Sequence, residues 1–157
     1  MKVLVVPDVH GSREWEIVKT FPQDSYDRIV FMGDYFDAWE NKWPEQGENF
    51  EAICAFVRQD PERRKALLGN HDWSYLSATV YGAGCSGHQN GKASKIKSLL
   101  ISARDILDLA FEADGVVFQR LKSPMYWDRG LFFSKTRELT QTDRQIIALA
   151  KARRAEF

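Results

Sequence analysis

Three short stretches with apolar runs, residues 3–6, 28–32 and 64–68, dictate what this chain can become. Each stops at a proline or a glycine (Pro7, Gly33, Gly69) and hands over to residues that coordinate or protonate rather than pack. Their apolar residues run consecutively instead of alternating with polar ones, the pattern of strands buried on both faces. Helical periodicity separates them. Ser12 can cap a helix reaching about Thr20, with Trp15 and Val18 at helical spacing. Residues 48–59 bring Phe50, Ile53, Cys54 and Val57 onto one face, and Pro61 follows the end. Strand, helix, strand, helix, strand predicts an α/β fold: a mainly parallel sheet flanked by helices, with right-handed crossovers. In such sheets ligands sit beyond the carboxyl ends of the strands.

Those ends carry the chemistry. The first reads Asp8-Val9-His10, the second Gly33-Asp34-Tyr35-Phe36-Asp37, the third Gly69-Asn70-His71-Asp72. In extended backbone, residues two apart point the same way, so Asp8 and His10 can grip one ion together. A carboxylate beside an imidazole suits Mn, Fe, Zn, Co or Ni better than Ca or Mg. Asp34 follows a glycine that lets the backbone approach the site, and its two oxygens could bridge two ions. Asn70 offers an amide oxygen to the second ion. His71 points away from its neighbour and is left to act as an acid. Two divalent ions outweigh the charges of Asp8 and Asp34, so the site would attract a phosphate ester. Ions about 3.5–4 Å apart would clamp the nucleophile and phosphoryl oxygens, and a water between them would lose a proton near neutral pH and attack phosphorus. His71, oriented by Asp72 or Asp37, would protonate the leaving oxygen.

Together, Asp8-x-His10-Gly11, Gly33-Asp34-x-x-Asp37 and Gly69-Asn70-His71-Asp72 resemble the three N-terminal motifs of the calcineurin-like metallophosphoesterases, in order and in placement at strand ends. The resemblance covers roughly residues 1–75. It implies an αββα sandwich and a metal-dependent hydrolase of phosphate esters. It implies that Asp8 and His10 bind one metal, Asp34 bridges, Asn70 binds the other and His71 assists the leaving group. The family also draws histidines from its second half, one after a later strand and then a Gly-His-x-His motif. This chain has three histidines, His10, His71 and His88, and none beyond residue 88. Asp114-Gly115-Val116-Val117-Phe118 resembles the strand that leads into the first of those later histidines, but Gln119, Arg120 and Leu121 follow. Arg120, standing where an imidazole is expected, is a candidate for gripping substrate phosphate. The second metal keeps only Asp34 and Asn70, so one ion is expected to bind better than two. A shortened or frame-shifted second half, a divergent single-metal or metal-free relative, or ligands from another subunit would each account for the deficit. The family's Ser/Thr phosphatases continue the second motif with Arg-Gly after its Asp. Here Ala38 and Trp39 follow Asp37, which argues against a protein phosphatase.

With 157 residues the chain suits one domain, 1–157, whose motifs fall within residues 1–118 and which ends in a divergent basic tail, residues 119–157. The tail carries nine Lys/Arg against four Asp/Glu, whereas the motif-bearing region carries thirteen against eighteen. Net charge is zero, so neither nucleic acid nor a membrane surface is an expected partner. Two cysteines make no disulfide framework; Cys54 reads as core and Cys85 as a loop residue, which fits a reducing cytoplasm. The first apolar run is too short for a signal peptide, and no stretch suits a bilayer span. Downstream, residues 79–92 read as a Gly-rich loop holding His88, 93–110 as a helix, 116–118 as a strand and 142–154 as a terminal helix. Trp39, Trp43 and Trp73 read as partial core packing, with an aromatic lip over substrate as the alternative. Arg63, Arg64 and Lys65 read as solvated element ends. An incomplete second sheet would leave an edge that invites self-association. The functional expectation is a metal-dependent phosphoesterase; the alternative is a catalytically impaired relative that binds phosphate, metal or a partner.

Overall fold

A computed structural model describes residues 1–39, 42–76 and 85–119. Strands β1 (Val3–Val6), β2 (Arg28–Phe31), β3 (Arg64–Leu67) and β4 (Leu107–Asp108) form one sheet in that spatial order, all parallel. A 3-10 helix, Glu14–Thr20, connects β1 to β2, and α1 (Glu45–Arg58) connects β2 to β3. Helices α2 (Asn70–Leu76) and α3 (Ala93–Ser102) lie between β3 and β4. Strands β5 (Ala110–Ala113) and β6 (Val116–Gln119) make an antiparallel hairpin. The α/β expectation holds.

The consecutive apolar runs are explained by burial on both faces. Ile29 and Phe31 join Ala66 and Leu68 in the larger core, against Phe50, Ile53, Cys54 and Val57 of α1 and Ile96 and Leu100 of α3. Val30, Met32 and Leu67 point the other way, onto Ala113 and Phe118 of the hairpin. Successive residues of β2 therefore serve opposite layers, as strand geometry requires.

Two helices and a pair of arginines depart from expectation. Helix α1 begins at Glu45 rather than 48, and its early polar residues Gln46 and Asn49 are buried and hydrogen-bonded. Gln46 Oε1 accepts the Ala38 N–H (3.3 Å), and Asn49 accepts the Trp15 indole N–H (2.8 Å) while donating to Ser12 O (3.0 Å). The helix expected over 93–110 stops at Ser102, although Ile106 and Leu109 continue its spacing. Pairing of Leu107 and Asp108 with Ala66 and Leu67 extends the sheet and overrides that periodicity. Arg63 and Arg64 are not solvated ends. Arg63 donates to the carbonyls of Gln23 (2.6 Å) and Tyr26 (2.7 Å), and Arg64 to that of Phe56 (2.6 Å). The N-cap position of the 3-10 helix falls to Arg13 rather than Ser12, whose Oγ accepts the Glu14 N–H at 3.1 Å. Trp43 and Trp73 pack partly against the core, whereas Trp39 stands exposed. Arg120, the helix expected over 142–154 and most of the basic tail lie outside the described residues.

Candidate metal centre

Two glycines bring the second and third strand ends together. A Cβ on Gly33 would lie 2.1 Å from the backbone nitrogen of Gly69, and one on Gly69 would lie 2.0 Å from Asp34 Oδ1. Only glycine permits that approach. Asp72, in the first turn of α2, closes the seam. Its Oδ2 accepts the N–H groups of Asp34 (2.7 Å) and Gly69 (2.9 Å), and its Oδ1 accepts that of Tyr35 (2.9 Å). The first strand end joins by continuing the ladder past the sheet: His10 N–H to Asp34 O at 2.7 Å, Gly11 N–H to Tyr35 O at 2.9 Å. His10, Asp34 and Asp37 sit at φ of 41°, 54° and 65°. That region costs a side-chain-bearing residue roughly 1–2 kcal/mol, so the surrounding bonds must impose it.

The outcome is one cluster of donors. A ring nitrogen of His10, a carboxylate oxygen of Asp34 and a ring nitrogen of His71 all lie within 4.8 Å of one another. The two imidazoles meet edge to face, 4.9 Å between centroids. His10 Nδ1 lies 2.8 Å from Phe36 O, a carbonyl that can only accept, so Nδ1 carries the hydrogen and Nε2 presents its lone pair. Asp8 Oδ2 lies 3.9 Å from that Nε2, a little beyond the roughly 3–3.5 Å between neighbouring donors on one ion with bonds of about 2.1 Å. His71 is fixed three ways. Its N–H donates to Asp34 Oδ1 (2.9 Å), its Nδ1 lies 2.8 Å from Asp37 Oδ2, and its carbonyl accepts the Ser74 hydroxyl (2.7 Å).

Electrostatics at this edge is dominated by buried carboxylates. Asp34, Asp37 and Asp72 are each at most 1% exposed. Burial and the Asp34 charge push the Asp72 carboxyl up to about 7, against the pull of its three N–H donors. Burial works against the His71 imidazolium, but the Asp37 hydrogen bond and the charges of Asp34, Asp37 and Asp72 outweigh it and raise the ring above its usual value. Among the described residues, neither Asp37 nor Asp72 has a Lys or Arg ion pair. Two imidazoles and a carboxylate, with excess negative charge behind them, fit a divalent transition metal.

The expected site residues divide accordingly. His10, Asp34 and His71 converge, with Asp8 beside His10. The His71 ring, expected to act as an acid, lies within reach of the same donors. The place of its orienting carboxylate goes to Asp37, while Asp72 spends both oxygens on backbone N–H groups. Asn70 opens α2, and its amide donates to Cys85 Sγ at 3.5 Å. His88 stacks on Tyr75 and meets Ser74 Oγ at 3.2 Å, and it is not part of the cluster. Sequence reasoning missed Tyr75, whose hydroxyl donates to Asp37 Oδ1. The signal was available: Tyr75 lies four residues after His71, on the same helical face.

The family model for calcineurin-like phosphoesterases matches residues 1–146. The chain belongs to that family. No curated protein and no solved structure matches it. Membership brings the phosphoesterase class of hydrolase and divalent metal ions in general terms, and His10, Asp34 and His71 form a group that could hold such an ion. Among the described residues, no helix is long and apolar enough to cross a membrane.

Proposed function

We propose that this calcineurin-like phosphoesterase hydrolyses phosphate mono- or diesters with the help of divalent metal held at the carboxyl edge of the sheet. The convergence of His10, Asp34 and His71 within 4.8 Å carries the reading. Asp8, His10 and Asp34 hold the first cation, drawn from Mn, Fe, Zn, Co or Ni, with Asp34 and Asn70 available to a second. A cation there supplies Lewis acidity toward a phosphoryl oxygen and toward water. The chain's own residues do the rest. Asp72 sets the Asp34 peptide through its backbone bonds. Asp37 accepts from His71 Nδ1, leaving Nε2 to deliver a proton to the departing oxygen. Arg120 would grip substrate phosphate. Free Cys54 and Cys85 suit a reducing, cytoplasmic setting.

The test combines metal content per chain with hydrolysis of an aryl phosphate in each of the five metals. Bound metal is expected, with turnover abolished by Asp34→Ala and lowered roughly 100-fold or more by His71→Ala, the usual scale of a general acid. No turnover above the Asp34→Ala control in any metal would reject the hydrolase. One observation favours a second reading, a metal- or phosphate-binding relative without turnover. Of the chain's three histidines, His88 contacts Tyr75 and Ser74, which leaves His10 and, where it does not serve as an acid, His71 for metal. That reading predicts at most one tightly held ion per chain and no hydrolysis.

A further inference from the structure

Tyr75 belongs to neither the metal-binding nor the reacting groups, yet its hydroxyl ends the chain of contacts leading to His71. We infer that Tyr75 is a positioning residue for the leaving-group acid: it fixes the Asp37 carboxylate and, through it, the tautomer and aim of His71. The acid role rests on the phosphoesterase reading; the tautomer does not.

The hydrogen-bond directions force the arrangement. The Gln89 backbone N–H points at the Tyr75 oxygen from 2.8 Å. A backbone N–H can only donate, so the phenol spends a lone pair there and turns its own hydrogen to Asp37 Oδ1. Oδ2 of the same carboxylate is left facing His71 Nδ1 at 2.8 Å. A carboxylate only accepts, so the imidazole hydrogen sits on Nδ1, and Nε2 is the nitrogen available to a substrate. Two residues one turn apart on α2 thus hold the two oxygens of one buried carboxylate.

The phenol is itself fixed. Tyr75 is buried, and its ring stacks on His88 at 4.1 Å and 15°. His88 Nδ1 meets Ser74 Oγ at 3.2 Å, and that hydroxyl donates to His71 O at 2.7 Å. Gln89 also donates through its side chain to Gln46 Oε1 at 3.1 Å, tying this loop to α1. Residues 88–89 therefore bear on the acid without entering the donor cluster. Tyr75→Phe removes one O–H and little volume. It leaves Asp37, which is 1% exposed, with its Oδ1 short of a donor and free to turn away from His71.

The experiment uses the whole chain with 15N-labelled histidine, its rings neutral, followed by kinetics of the metal-loaded protein. In the wild type, His71 is expected to carry its hydrogen on Nδ1. In Tyr75→Phe the tautomers should mix, while His10, held by Phe36 O, stays unchanged. Turnover of phenyl phosphate should fall about tenfold in kcat with KM little altered, the lower end of the effect of groups that orient a functional histidine. Turnover of 2,4-dinitrophenyl phosphate, whose leaving group needs no proton, should fall less than about twofold. A wild-type His71 with its hydrogen on Nε2 overturns the inference, as does an unchanged tautomer in Tyr75→Phe or an equal loss on both esters. A wild-type hydrogen on Nε2 overturns the inference even where the variant does not fold. Absence of turnover in a wild type that shows the Nδ1 hydrogen overturns the phosphoesterase reading and leaves the tautomer assignment standing.

Discussion

The two ends of the parallel sheet are held by opposite chemistry. At the amino end, cationic side chains collect carbonyls. Arg63 reaches Gln23 O and Tyr26 O and lies 5.3 Å from the Tyr26 ring, and Arg64 reaches Phe56 O and lies 3.8 Å from the Phe56 ring. These contacts are partly wet, separately replaceable and compatible with relaxed backbone. At the carboxyl end, three carboxylates are buried, three non-glycine residues sit at positive φ and two glycines touch backbone to backbone. One end spends its interactions on holding the chain together. The other holds charge and strain in place, which is the signature of a functional edge.

Substitutions at the two ends should therefore fail differently. The largest effect is expected from Gly69→Ala, because its new methyl group would meet Asp34 Oδ1 and backbone. We expect a loss of about 3 kcal/mol in urea unfolding, at the upper end of overpacking costs, together with loss of bound metal. Asp72→Asn comes next. The amide keeps one accepting oxygen and sets its NH2 against a backbone N–H, for a cost of about 1–3 kcal/mol and weakened metal binding by calorimetry. Arg63→Ala breaks the comparison from the other side. It should cost about 1–2 kcal/mol from lost carbonyl contacts while metal content and activity stay at wild-type levels. Loss of metal in that variant would show that the two ends are coupled. The mildest effect is on pH dependence. The His71 pKa is raised above 6.5 in the folded protein, so its contribution to stability is complete below that pH and lost as pH rises through the folded-state value. Metal-free protein should lose stability over that interval, and His71→Gln should flatten the slope.

Much of the sheet was legible because its strands are buried on both faces. Residues 3–6 match β1 to the residue, and the stripe Phe50, Ile53, Cys54, Val57 matches the buried face of α1. Less legible were places where a partner distant in sequence decides. Ile106 and Leu109 obey a helical period, yet β3 claims Leu107 and Asp108 between them as strand neighbours. Asp114 and Gly115, at φ of 49° and 75°, carry the Asp-Gly signal of a two-residue hairpin, whose first strand begins at Ala110, where the expected helix ended. At the site, the residue types named the chemistry, but the division of labour between Asp37 and Asp72 could not be read. Both follow motif residues at short range, and only the fold shows one carboxylate facing an imidazole and the other facing peptide nitrogens. Tyr75 lies outside the three motifs, between Ser74 and Leu76, and only its spacing from His71 pointed to it.

Because a single carboxylate, Asp72, gathers amides from two different loops, those loops have no independent way to open. The amide hydrogens of Asp34, Tyr35 and Gly69 should report one common opening free energy in hydrogen exchange, as members of one cooperative unit. Local breathing, which lets many enzymes trade one loop's order against another's, is closed to this edge; it assembles whole or not at all.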